Sequence, residues 1–319
     1  MGRIGMGVVR EDRDLAGGAS RDSQSSYQRF VEEMTRLNLW YVHRLLSKGE
    51  IGPNDLPGAL TSRVNIYRMT VLWDGLHDPK FGHVDPEWVQ ISRQLATLLS
   101  STPSGETPIA EERGLHLLSP LLEWNDPDRL YQVHRRSSAP GLYGCWTFSL
   151  EWVGIADREG RLGKLRNRAH VKERVRKALG MRPSPPRDVL LHFQNVLKPL
   201  SPFDDFYELA SSLLRLIGGC QRDYPSVREL WFESWLNSVP LFVSLFPASW
   251  LEDSRLPAPT NYLSLWGQFL TKTGGFNDRV AQRFRESDGC FPYRSLRCHA
   301  PIKAVEAHLA ELCSGQPAR

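Results

Sequence analysis

The chain has 319 residues, 41% of them hydrophobic and 24% charged, with a net charge of +4. That length buries a sizeable core in one large domain or two smaller ones, and the composition is that of an ordinary globular protein. No apolar run approaches the roughly 20 residues that cross a bilayer, five scattered cysteines do not make a disulfide framework, and the first residues hold no apolar leader core. A cytoplasmic protein without a membrane partner is expected.

Residues 1–25, rich in Gly, Ser, Arg and Asp without periodicity, read as a disordered lead-in. A helix is expected from about Ser26, because Phe30, Met34, Leu37 and Tyr41 recur at helical spacing. A second is expected over 54–74, with Leu60, Val64, Tyr67 and Val71 on one face. Asp85-Pro86-Glu87 is a helix start, Asp as cap and Pro in the first turn. A loop over 100–106 leads to a further helix over 111–124, so the region 26–140 is expected to be mainly helical.

The texture then changes. Residues 146–153 alternate, 156–160 turn and 161–165 continue, which is a hairpin pattern. A basic helix over 169–179 follows, stopped by Gly180. The segment 158–187 holds eleven Lys or Arg against Glu159 and Glu173, a charge of +9 that leaves −5 (4 − 9) on the rest. Such a patch suits a phosphate-bearing partner. No aromatic lies between Trp152 and Phe193, so base stacking, and with it nucleic acid, is not favoured. Strands are expected at 188–193, 229–236 and 261–269, with a helix from Ser201 to Gly218-Gly219 between the first two. Helices over 277–285 and 301–312 complete the pattern. The order predicts an α+β fold: a helical N-terminal part, then over 141–319 a mixed, largely antiparallel sheet (146–153, 188–193, 229–236, 261–269) with flanking helices.

No Walker, Rossmann or Gly-x-Ser-x-Gly pattern occurs. On its strand His192 shares a face with Leu190 and Gln194, and a histidine there suits general-base work. Trp231, Glu233 and Trp235 project together, which would set the Glu233 carboxyl between indoles as a second base candidate. Because one helix joins their strands, His192 and Glu233 are expected to meet across the sheet. Cys290, Cys298, His299, His308 and Cys313 match no zinc spacing, and no resident metal is expected. Glu112 and His116, four apart on a helix, keep a helical haem or iron oxygenase open as an alternative.

The stretch from Trp146 to Leu312 carries a set of short words: Gly160-Arg-Leu-Gly-Lys-Leu165, Leu190-Leu-His-Phe193, Lys198-Pro-Leu-Ser-Pro202, Tyr224-Pro225, Glu233-Ser-Trp-Leu236, Thr260-Asn-Tyr262, Ser295-Leu-Arg297 and Ala307-His-Leu309. In these words and their layout it resembles a group of bacterial GNAT-like acyltransferases. The resemblance implies transfer of an acyl group from a CoA or phosphopantetheine thioester, with no tightly bound cofactor. The acceptor would be an amine or hydroxyl of a small molecule or peptide in biosynthesis, and an acyl carrier protein is a possible partner. His192 or Glu233 would be the base, Asn261 a donor to the developing oxyanion, and Trp231, Trp235 and Trp266 the pocket walls. The usual Arg/Gln-x-x-Gly-x-Gly/Ala pyrophosphate loop is missing, so Arg166, Arg168 and Lys172 would take the donor's phosphates. The rival reading is a non-enzymatic protein whose tryptophan-lined surface binds a peptide or carrier domain.

Overall fold

A computed structural model describes residues 21–73, 84–124, 145–151, 185–193, 201–256, 263–271 and 274–315. Most of the expected lead-in, the second arm of the hairpin and the whole basic helix lie outside these residues. The described chain is α+β, with a helical layer and a four-stranded sheet flanked by helices.

The helical layer is built on α1 (Arg21–Ser47), α2 (Leu56–Ser62), α3 (Pro86–Ser101) and α4 (Thr107–Leu118). Asp85 caps α3 as its sequence implies, its carboxylate accepting from Glu87 N at 2.8 Å. The single helix expected over 54–74 is instead broken into 3-10 turns at Pro53–Asp55 and Tyr67–Met69 around the seven-residue α2. Just after α2 the Asn65 N–H donates to Oδ1 of buried Asn38 at 2.9 Å, a partner outside any helix through 54–74. Gly114 lets α4 lie close on α1, since a Cβ there would stand 2.8 Å from Leu39 Cδ1.

The sheet has the order β1 (Trp146–Glu151), β2 (Asp188–Phe193), β3 (Glu229–Ser234), β4 (Leu296–Pro301). The β1–β2 and β3–β4 pairs are antiparallel, whereas β2 and β3 run parallel. A parallel pair needs a crossover, supplied by α5 (Phe206–Asp223). This helix runs through Gly218-Gly219, which the sequence suggested as its stop, because the buried row Leu209, Leu213, Leu216, Ile217 continues to Cys220. Apolar burial on that face outweighs the roughly 1 kcal/mol that each interior glycine costs relative to alanine. Asp205 caps the start, accepting from Glu208 N at 3.1 Å, and the chain leaves the helix at Tyr224-Pro225.

The strand expected at 261–269 does not form. Leu263–Phe269 is a 3-10 helix, and the fourth strand is β4. Trp266 and Phe269 lie three residues apart, the period of a 3-10 turn, so both reach one core. In β4 the inward positions Leu296, Cys298 and Ala300 alternate with Arg297 and His299. Pro301 then leads into α8 (Ile302–Ser314).

Two hydrophobic cores result. One lies between β1–β4, α5, α8 and the short α6 (Pro240–Val243), with Trp146, Phe232, Phe242 and Trp250 among its large members. The other fills the helical layer and draws on both ends of the chain: Trp266, Phe269, Phe276 and Phe284 pack with α1–α4. Phe284 belongs to α7 (Asp278–Glu286), capped by Asn277 and tied back to α4 by the paired Arg285–Glu111 hydrogen bonds at 2.9 Å each.

Candidate active site

Strand register decides which side chains share a face. Residues directly paired across strands point the same way, so the helix-covered face holds Phe148, Leu191, Phe232 and Cys298, and the opposite face is polar. On that polar face stand Thr147 and Ser149 of β1, Leu190 and His192 of β2, Trp231 and Glu233 of β3, and Arg297 and His299 of β4. The sequence expectation that His192 and Glu233 occupy adjacent strands and one face is met.

Their partners differ from those expected. His192 Nε2 lies 3.1 Å from Ser149 Oγ, one step diagonal to the directly paired Thr147. The Glu233 carboxylate is held by Arg297, whose Nε donates to Oε2 at 2.7 Å and whose Nη2 donates to the same oxygen. Both side chains are mostly buried, 10% and 19% exposed. Glu233 is thereby a positioned anion on a guanidinium, not a carboxyl isolated between indoles. Next along the strand, Trp231 stacks on His299 at 4.1 Å and 17°, and His299 Nδ1 stands 3.4 Å from Glu229 Oε2. The Trp231 indole N–H is buried and has no hydrogen-bond acceptor among the described residues.

The three tryptophans expected to wall one pocket go to three places. Trp231 lies on the polar face. Trp235 leaves the strand to start the 3-10 turn Trp235–Ser238, with its ring 5.7 Å from Tyr293. Trp266 sits in the helical core, 1% exposed, and its Nε1 donates to Arg63 O at 3.1 Å. Asn261, Arg166, Arg168 and Lys172 lie outside the described residues. Ser149 and Arg297 were not singled out by sequence. A serine in an alternating strand carries no signal of its own, and Arg297 matters only because β4 lies beside β3.

The parallel pair has an unusual feature for strands of its length. β1–β2 and β3–β4 each pair over six residues, but β2–β3 pairs over only three, Asp188–Leu190 with Glu229–Trp231. Beyond Leu190 and Trp231 the ladder ends, and His192 and Glu233 both lie past that point. On the helix-covered side the parting is floored by Phe242, whose ring stands 5.7 Å from Phe193 of β2 and 5.3 Å from Phe232 of β3. A separate groove of about 360 Å³ opens at the other end of β3, between Gln221, Arg228, Glu229, Pro301 and Lys303.

The remaining sequence candidates are dispersed. Glu112 of α4 is ion-paired with Arg36 of α1, which draws its carboxyl below the usual range. Cys298 is in the sheet core, His299 faces the other way, and His308 Nε2 lies 3.0 Å from Ser244 O. Among the described residues no three His, Cys, Asp or Glu side chains converge as metal ligands, and no helix is long and apolar enough to cross a membrane. Burial pushes the thiol of Cys220 up to about 11 and that of Cys298 up to about 12. The thiolate is the reactive form, so a thiol reagent at pH 8 should modify exposed Cys290 first and reach Cys220 and Cys298 only on unfolding; peptide mapping of the labelled sites checks this. Native thiols that hold their protons longer than unfolded ones also favour folding fully below about pH 9, and that contribution fades above it.

Comparison with protein-family models, with curated proteins and with solved structures finds no match.

Proposed function

We propose that the chain is an acyltransferase in which His192 is the general base and the parting of β2 and β3 receives the donor thioester. The observation that carries this reading is the three-residue parallel ladder between two six-residue strands. In open sheets with parallel strands, ligands lodge at the carboxyl ends of those strands, and that is where this pair separates. Main-chain groups on the facing edges past Leu190 and Trp231 are outside the β2–β3 ladder, and backbone N–H groups so placed can receive a thioester carbonyl as charge builds on its oxygen. Phe242 closes the apolar side, so a thioester would enter from the polar face, where His192 and the Glu233–Arg297 pair stand. His192 takes the proton of an attacking amine or hydroxyl, and the thiolate departs. In this reading Arg166, Arg168 and Lys172 meet the donor's phosphates.

The test is calorimetric titration with CoA and acetyl-CoA, followed by an acceptor screen in which released CoA is quantified by chromatography. Binding is expected, and His192→Ala is expected to lower turnover by about 10²–10⁴-fold, the usual range for losing a general base, without moving the thermal transition. Absence of CoA and phosphopantetheine binding, or undiminished turnover by His192→Ala, overturns the reading.

A further inference from the structure

We infer that Ser149 is a nucleophile activated by His192, so that the acyl group passes through an ester on Ser149 before reaching its acceptor. The inference rests on the acyl-transfer reading for its donor, but its own support is separate. Ser149 Oγ lies 3.1 Å from His192 Nε2, the contact that defines an activated hydroxyl in serine-type catalysis. Of the two hydroxyls that β1 offers on this face, the histidine bonds the more accessible one. Thr147, directly opposite His192, is 6% exposed, whereas Ser149, on the diagonal, is only half-buried. A cross-strand bond formed only to hold β1 against β2 has no need of the outer hydroxyl, since the six-residue ladder already fixes that pair. Of the dyad, His192 lies past the end of the β2–β3 ladder, and Ser149, on the neighbouring β1, stands opposite Leu190, the last residue of β2 in that ladder.

With its proton on Nδ1, His192 accepts the Ser149 O–H at Nε2. Oγ attacks the thioester carbonyl, the Oγ–C bond forms and the C–S bond breaks. The proton taken from Oγ passes from Nε2 to the leaving thiolate, which departs as a free thiol. An amine or hydroxyl acceptor then enters, gives its proton to Nε2 and forms its bond to the acyl carbon. The C–Oγ bond breaks and the proton returns to Ser149. No oxidant or reductant is involved. The roles are His192 as base and then acid, and Ser149 as acyl carrier.

The experiment is intact-mass and peptide-mapping mass spectrometry of the full chain after exposure to acetyl-CoA and, separately, to p-nitrophenyl acetate, without acceptor. One acetyl group on Ser149 is expected with both reagents. Ser149→Ala should abolish the adduct and lower turnover at least ~10²-fold. His192→Ala should leave no adduct. Ser149→Cys should still accumulate one, now as a hydroxylamine-labile thioester, which keeps the test valid if the alanine variant fails to fold. Ser149→Ala turning over like the parent while His192→Ala does not would overturn the inference and leave direct transfer standing. Acylation of Ser149 by p-nitrophenyl acetate in a chain that neither binds nor uses any CoA thioester would instead uphold the dyad and sink the donor assignment. Absence of a Ser149 adduct with both reagents overturns the inference outright.

Discussion

Replacing Phe242 by alanine is expected to lower the unfolding free energy by about 3–5 kcal/mol, the range for a fully buried phenylalanine truncated in a core. The ring is 0% exposed and packs against Trp146, Phe193 and Phe232, its centroid 5.3–5.7 Å from theirs. Its position makes the site hard to collapse. Phe242 fills the apolar side of the parting between β2 and β3, and each of these strands is held on its far side by a six-residue ladder with β1 or β4. A cavity that cannot relax retains the full penalty, whereas Phe242→Leu, which keeps most of the volume, should cost less than about 1.5 kcal/mol. Urea titrations of the three proteins measure this. A loss under 1 kcal/mol for the alanine variant would mean that the parting closes on itself, which would also remove the opening in which acyl transfer is proposed to occur.

Trp266→Ala is expected to cost a similar 3–5 kcal/mol, with no effect on donor binding. Trp266 lies among Tyr41, Phe269, Phe284 and Phe291, its ring centroid 5.3–5.9 Å from theirs, and its Nε1 bonds the Arg63 carbonyl. It is the residue through which the 3-10 turn Leu263–Phe269 locks onto α1 and the end of α2. Trp266→Phe separates the two contributions: it keeps most of the ring contacts and gives up the indole hydrogen bond, for about 1–3 kcal/mol. Thermal melts followed by near-ultraviolet circular dichroism read both variants. A weakened affinity for CoA with an unchanged melt would return Trp266 to the pocket wall that sequence suggested and would contradict its burial in the helical core.

His192 and Glu233 show how far sequence carried the candidate site. Strand periodicity put each on a definite face, and a single intervening helix made their strands neighbours; both statements hold in the structure. What each side chain bonds was not legible. Glu233 is tied to Arg297, a residue 64 positions away, and His192 to Ser149, 43 positions away. No strand is expected around Arg297 from sequence, since the run from Leu296 ends in alanine and proline, both depleted in strands. Alternation of Leu296, Cys298 and Ala300 was the only local hint of β4.

By itself the sequence determined the α+β class, the bounds of β2 at Asp188–Phe193, the capped start at Asp85 and the apolar face of α1. These are set by neighbours within a turn or two of the chain, through side-chain caps and the 3.6 or 2-residue period of apolar burial. Tertiary structure alone decided that 296–301 and not 261–269 enters the sheet, and that α5 runs on through Gly218-Gly219. It also sent Trp266 to the helical core, set the parting of β2 from β3 and brought Ser149 to His192. In each case several local conformations differ by about a kcal/mol in propensity, and burying an aromatic or aliphatic face against a partner distant in sequence contributes more than that.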